Sequence, residues 1–251
     1  MARHKLTYLA ITSGLTIYGT HLGLNHLEKQ YPNQPLSTGS KALSTPDKST
    51  QHTPYTDIYA ARIPVAALLR SPHVSVPPNT NAQTKTEATL EEAWARTLLK
   101  SPILKTEASL FSLLNNFKYT PGDLEKPFKK GTTLVQGIMT IQREIDAEPD
   151  SNGLLVSWKM ADEPRTFFEK IASWGYPWRL MSGGRHEMSV SEVFEVEGED
   201  FVDVRFASAH DYEVVRSEGD LDQQKILPEW TNRLHRGFAR LILDFAVREL
   251  Q

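Results

Sequence analysis

The side chains best placed to do chemistry lie in one stretch, Arg185–Val215. Met188, Val190 and Phe194 alternate there, as do Val202, Val204 and Phe206 after the turn Glu197-Gly198-Glu199-Asp200. Period-two alternation predicts a β-hairpin with one covered face. Glu192 shares the parity of Met188, Val190 and Phe194. Burial disfavours a charged carboxylate, and a carboxyl group in an apolar setting suits a general acid or base. Two other readings compete at Glu192: a β-bulge that turns it outward, or an arginine partner such as Arg143. His186 lies on the parity of Glu192, and His210 continues the inward parity of Val204, Phe206 and Ser208. Glu192, His186 and His210 are therefore the predicted catalytic set, converging in one cavity, with Arg143, Trp158, Arg185 and Phe206 as the predicted ligand contacts.

The short run Ser182-Gly183-Gly184-Arg185-His186-Glu187 adds paired glycines, which admit a close backbone approach. Arginine, histidine and glutamate at that point suit anion binding or proton transfer. A plain glycine turn with charged residues at the mouth of a strand is the alternative. Two histidines and a carboxylate also suit a metal, but no helical His-x-x-x-His spacing occurs and no metal is expected. Phosphate loops, nucleophile elbows and dinucleotide fingerprints are missing, so no cofactor is expected either. Tyr119, Trp158, Trp174, Tyr176 and Trp178 are enough aromatic surface to line an apolar cavity or fill an ordinary core.

The elements that must position these groups follow from periodicity. Tyr59–Leu69 reads as a strand turning into a short helix. Thr89 with Glu92 makes a capping box for a helix carrying Leu90, Ala93, Trp94, Thr97 and Leu98, interrupted at Ser101-Pro102. Thr132–Ile145 reads as one long strand with Val135, Met139, Ile141 and Arg143 on one face. Beyond an Asp150–Gly153 turn, Leu154, Val156, Trp158 and Met160 alternate strictly. Pro164–Ser173 is a short helix burying Phe167, Phe168 and Ile171. A long final helix carries the stripe Leu227, Trp230, Leu234, Phe238, Leu241 and Phe245, a buried face that Ile242 and Val247 widen, with His235 beside it.

The chain has 251 residues, enough for a substantial core, and a net charge of −3, which gives no reason to expect nucleic acid. With no cysteine there is no disulfide framework, thiol nucleophile or thiolate-bound metal. Leu6–Leu24 carries no formal charge, follows Arg3 and Lys5, and is about long enough to cross a bilayer. A single N-terminal membrane pass through residues 6–24 is the expectation; a mitochondrial presequence, basic and rich in hydroxyls, is the alternative. Residues 31–56, rich in Pro, Ser, Thr and Gln, read as a disordered linker between this segment (1–30) and one folded domain (57–251).

The predicted fold class is α+β, a curved antiparallel sheet packed on a long C-terminal helix. This order of elements over residues 57–250 resembles the START-like helix-grip family of polyketide cyclases and lipid-transfer domains, apart from a longer helical insert at Thr89–Leu114. The resemblance implies a cavity between sheet and helix for an apolar small molecule. It carries over no catalytic residue, because no motif is matched. The function expected is binding of an apolar small molecule, with cofactor-free acid–base chemistry of the cyclase, isomerase or dehydratase type if the protein is an enzyme. The alternative is a non-enzymatic, membrane-anchored interaction or assembly protein.

Overall fold

A computed structural model describes residues 18–71, 82–106, 109, 124, 126–145 and 153–251. It is an α+β fold, in which a curved antiparallel sheet of eight strands packs against a long C-terminal helix. In chain order the elements are α1 (residues 18–30), α2 (Lys41–Ser44), β1 (Gln51–His52), β2 (Thr56–Pro64), α3 (Val65–Leu69) and α4 (Ala82–Leu99). A short helix α5 (residues 102–106), β3 (Thr133–Leu134), β4 (Met139–Arg143), β5 (Leu154–Lys159) and α6 (Asp162–Ser173) follow. The chain then runs through β6 (Gly183–Val190), β7 (Phe194–Val196), β8 (Glu199–Glu213) and α7 (Glu229–Leu250).

The sheet is organised on β8, 15 residues long. One of its edges pairs with β1 and β2, the other with β6 and β7, and the order continues through β5, β4 and β3. The β7–β8 turn places Glu197 at φ 54° and Gly198 at φ 84°. Two successive positive φ values make the tight hairpin connection that matches strand twist. Tyr59, Ile63, Val202, Val204, Phe206, Met188, Val156 and Ile141 fall on the front face, under α4 and α7, where the main core lies.

Several elements differ from the sequence expectation, each for a local reason. Thr132–Ile145 is not one strand: Val135 (φ 49°) and Gly137 (φ 86°) turn the chain back, so β3 and β4 form a hairpin. A register shift between Ile141 and Arg143 turns Arg143 to the back face, opposite Leu155. α4 begins at Ala82, so position 89 falls inside the helix and not at its start, although Leu90, Ala93, Trp94, Thr97 and Leu98 are buried as the spacing requires. The expected turn at Asp150–Asn152 lies outside the described residues.

The final helix is present but rotated. Ala239, Ile242, Leu243, Ala246, Val247 and Leu250 are buried, whereas Trp230 (60%), Leu234 (43%) and Phe245 (43%) of the expected stripe are exposed. The rotation follows from a third layer. α1 lies along the outer side of α7, where Leu24 packs on Gly237 and Tyr31 donates its hydroxyl to Asp244 at 2.9 Å. Arg233 pairs with Glu28 at 2.8 Å, and Arg240 donates to the Tyr31 carbonyl. α7 is thus covered from two sides, and small residues serve its close contacts.

Between Tyr31, which faces α7, and Tyr55, which reaches the front, the chain crosses the back of the sheet, where the sequence suggests a flexible tether. Leu43 is fully buried against Ile58, Leu155, Ala207 and Ala209, a contribution of about 2 kcal/mol. The Asn33 side chain accepts from the Ile58 backbone N–H at 2.8 Å, and β1 adds main-chain pairing to β8. A polar composition hid this strap because few apolar residues hold it; hydrogen bonds to Arg143, Glu187 and Arg185 of the sheet do the rest.

Of the expected membrane segment, residues 6–17 lie outside the described residues, and 18–24 belong to α1. Among the described residues no helix is long and apolar enough to cross a membrane.

Candidate functional site

Three histidines from three elements meet under α7. His186 comes from β6, His210 from β8 and His235 from the first half of α7. Strand pairing sets His186 opposite Ser208 and Gly184 opposite His210, all on the front face. Gly184 is required there. A Cβ at that position would stand 2.3 Å from the Ala209 carbonyl oxygen and 3.0 Å from the Trp158 indole nitrogen. The missing side chain lets the indole lie flat over the strands, stacked on His186 (centroids 6.3 Å, 16°) and edge-on to His210 (6.1 Å, 67°). Phe206 closes on His186 from the other side at 5.3 Å, and Tyr55 covers His210 at 5.3 Å.

His210 and His235 share a hydrogen bond between their Nε2 atoms at 2.7 Å. One ring must donate and the other accept, so their tautomers are coupled and neither Nε2 can act alone. Tyr55 donates to the Asn232 side chain at 2.9 Å and lies 3.3 Å from the Tyr212 hydroxyl. Arg236, one residue after His235, is engaged elsewhere, pairing with Asp57 at 3.1 Å and Glu229 at 2.6 Å. Within this cluster three buried ring nitrogens, His186 Nδ1, His210 Nδ1 and Trp158 Nε1, have no hydrogen-bond partner among the described residues; His52 Nε2 is a fourth outside it.

Burial holds all three imidazoles neutral. It pushes His186 down to about 3, with repulsion from His235 as a lesser cause. It carries His210 well below the usual range, helped by His235, His186 and Arg236, and it lowers His235, helped by Arg236. At neutral pH the site therefore offers hydrogen-bond donors and acceptors and no cation of its own.

Two spaces open from these histidines. A cavity of about 590 Å³ runs beside His186 and His235, walled by Trp158, Met139, Ile138, Met160 and Met181. A smaller one of about 40 Å³ reaches from the same two histidines between α4 and α7, among Leu98, Phe206, Phe238 and Ile242. The first falls in the size range of small-molecule sites; the second has room for a water or a methyl group.

Of the residues singled out in the sequence, His186, His210, Trp158 and Phe206 come together here. Glu192 does not. β6 ends at Val190, and Glu192 is exposed in the break before β7, so the inward parity stops two residues short of it. Arg143 and Arg185 lie on the back face. Arg185 forks onto Asp211 with two bonds of 2.8 Å and donates to the Leu43 carbonyl and Thr53 hydroxyl. Arg143 pairs with Glu187 at 2.9 Å, and Ser40 donates both its backbone N–H and its hydroxyl to that carboxylate. Both arginines clamp the strap of residues 31–56 to the sheet. His235, Tyr55 and Asn232 are the site residues that sequence reasoning missed. His235 had a readable signal, its spacing to Phe238 and Ile242; Tyr55 had none.

Among the described residues no three ligands are grouped to hold a metal ion. Compared with known proteins, the chain matches no family model and no curated protein sequence.

Proposed function

We propose that this chain binds an apolar small molecule between the sheet and α7, with the imidazole and indole nitrogens meeting its polar group. One observation carries the reading: a pocket lined by Met139, Met160, Met181, Ile138 and Trp158, with Gln142, Ser157 and Lys159 as polar wall, lies against His186 and Trp158, whose buried nitrogens lack partners among the described residues. An unpaired buried polar atom costs about 1–3 kcal/mol, and a ligand that pairs it recovers that energy. The layout of an antiparallel sheet against a long C-terminal helix supports a helix-grip-like arrangement, in which such a cavity is the expected binding place. An imidazole titrating at about 3 is a feeble base at neutral pH. Recognition is therefore better supported than proton abstraction as the role of His186. The second reading, a membrane-anchored interaction protein without catalysis, draws support from the exposed aromatics Trp174, Phe167 and Trp230.

The test is binding of the neutral fluorescent probe N-phenyl-1-naphthylamine to the purified full chain, with mass spectrometry of its organic extract. Wild type should bind the probe and yield a co-purifying apolar compound. Ile138→Trp, which fills the larger cavity, should weaken probe binding about tenfold, or 1.4 kcal/mol. Unchanged binding in that variant, or none in wild type, sinks the reading.

A further inference from the structure

The apolar side of α6 is turned away from the core. Only Ala172 of this helix is buried; Phe167 is 57% exposed and Phe168 half-buried, contrary to the expectation that they face inward. Trp174, just past its end, is 72% exposed. These rings are not scattered. Phe167 touches Phe168 (5.5 Å), Phe168 touches Tyr176 (6.1 Å), Tyr176 touches Trp178 (5.3 Å), and Trp178 touches Trp230 on the first turn of α7 (6.1 Å). The result is one continuous aromatic surface crossing two helices, where isolated exposed hydrophobics would need no explanation.

We propose that this surface seats in the interfacial layer of a lipid bilayer. Three observations point to that occupant. The first is residue type: the surface is built from Trp, Tyr and Phe, with Lys170 lying over Trp174 at 5.3 Å. Rings with an apolar body and a polar edge are the side chains that collect at the headgroup boundary. The second is the course of α1. Arg233 reaches His21, Asn25 and Glu28, while Gln30 and Tyr31 reach Asp244, so α1 runs parallel to α7. Its first described residue, Tyr18, is exposed and stands level with the first turn of α7, where Trp230 is exposed. The uncharged run Leu6–Leu24 therefore joins the fold at the aromatic end of the molecule. The third is continuity with the pocket, because Met160 and Ala161, which line it, run directly into α6. Charge around the surface is mixed, with Arg165 paired to Asp162 and Glu169, so no anionic headgroup is required.

The proposal is independent of whether the pocket holds a ligand, and fluorescence tests it separately. The full chain is mixed with phosphatidylcholine vesicles whose acyl chains are brominated near the headgroup, and quenching of its five tryptophans is followed. Trp94 is fully buried and reports no contact with lipid. Wild type should be quenched, and Trp174→Phe with Trp230→Phe should lose at least half of that quenching while keeping the same circular dichroism. Phe167→Ser with Trp174→Ser should leave the chain nearer the supernatant when vesicles are sedimented. A vesicle-bound chain quenched equally with and without Trp174 and Trp230 overturns the proposal, since it would then be held by the N-terminal run alone. Failure of the full chain to bind vesicles overturns it too. So does a dimer in solution that the Trp174→Phe/Trp230→Phe variant dissociates, which would make this surface a contact between copies of the chain.

Discussion

The back of the sheet and the histidine site on its front bury polar residues under opposite rules. On the back, Arg185 and Asp211 are almost completely buried and doubly bonded to each other, and Arg143 answers Glu187. On the front, under α7, Asp57 and Arg236 make a comparable pair, but the groups of the histidine site itself are neutral rings, and several of their nitrogens have no partner among the described residues. A guanidinium cannot lose its proton, so burying it demands a carboxylate. An imidazole can, and burial then costs it only its charge. The residues of strongest charge in the Gly-Gly-Arg-His-Glu run are thus the ones committed to structure. Its one weakly basic residue, His186, lies instead at the wall of the cavity.

Breaking a back-face pair should give the largest effect. Asp211→Ala leaves Arg185 buried and unpaired and should destabilise the fold by about 3–5 kcal/mol in urea unfolding. Arg185→Met combined with Asp211→Leu removes both charges and should lose far less. If the single variant unfolds no more easily than the double, the back face is not held by its charges.

The front face should show itself through pH. His186 titrates at its ordinary 6.5 in the unfolded chain and at about 3 in the fold, so between those values the unfolded chain binds more protons. The stability is fully present above about 6.5 and falls as the pH drops, by roughly 1.4 kcal/mol per unit for this residue. Unfolding free energies from urea titrations at pH 7 and pH 5 should therefore differ by about 2 kcal/mol more in wild type than in His186→Phe. His210 and His235 act in the same direction. An equal pH response in the variant would move the burden to those two residues.

The smallest effect is expected at Glu192. Exposed and outside both cavities, Glu192→Gln should change stability by less than about 0.5 kcal/mol and leave probe binding unchanged. Loss of binding in that variant would restore the carboxylate to the site and break the contrast between the faces.

How far the site was legible depends on what each residue's position rests on. His186, His210, Trp158 and Phe206 were found because they sit within unbroken alternation, where parity decides the face. Glu192 and Arg143 were misplaced because each lies just past a break in it, the end of β6 in one case and the bulge of β4 in the other. Nothing local announces such a break, since one residue of slip reverses every side chain beyond it. Tyr55 and Asn232 meet across 177 positions of chain, a separation no window can see.

The amino-acid sequence by itself determined the strands of the hairpin, its Glu197-Gly198 turn, and the existence of α4, α6 and α7. These follow from side-chain period and from φ preferences that act within a few residues. Only the tertiary structure decided which side of α7 is buried, that a segment within residues 31–56 straps the back of the sheet, and that three histidines meet in one cluster. Those outcomes depend on α1 covering α7, on ion pairs between distant residues, and on Gly184 opening space for Trp158. Each is a competition among surfaces that meet only once the chain has folded.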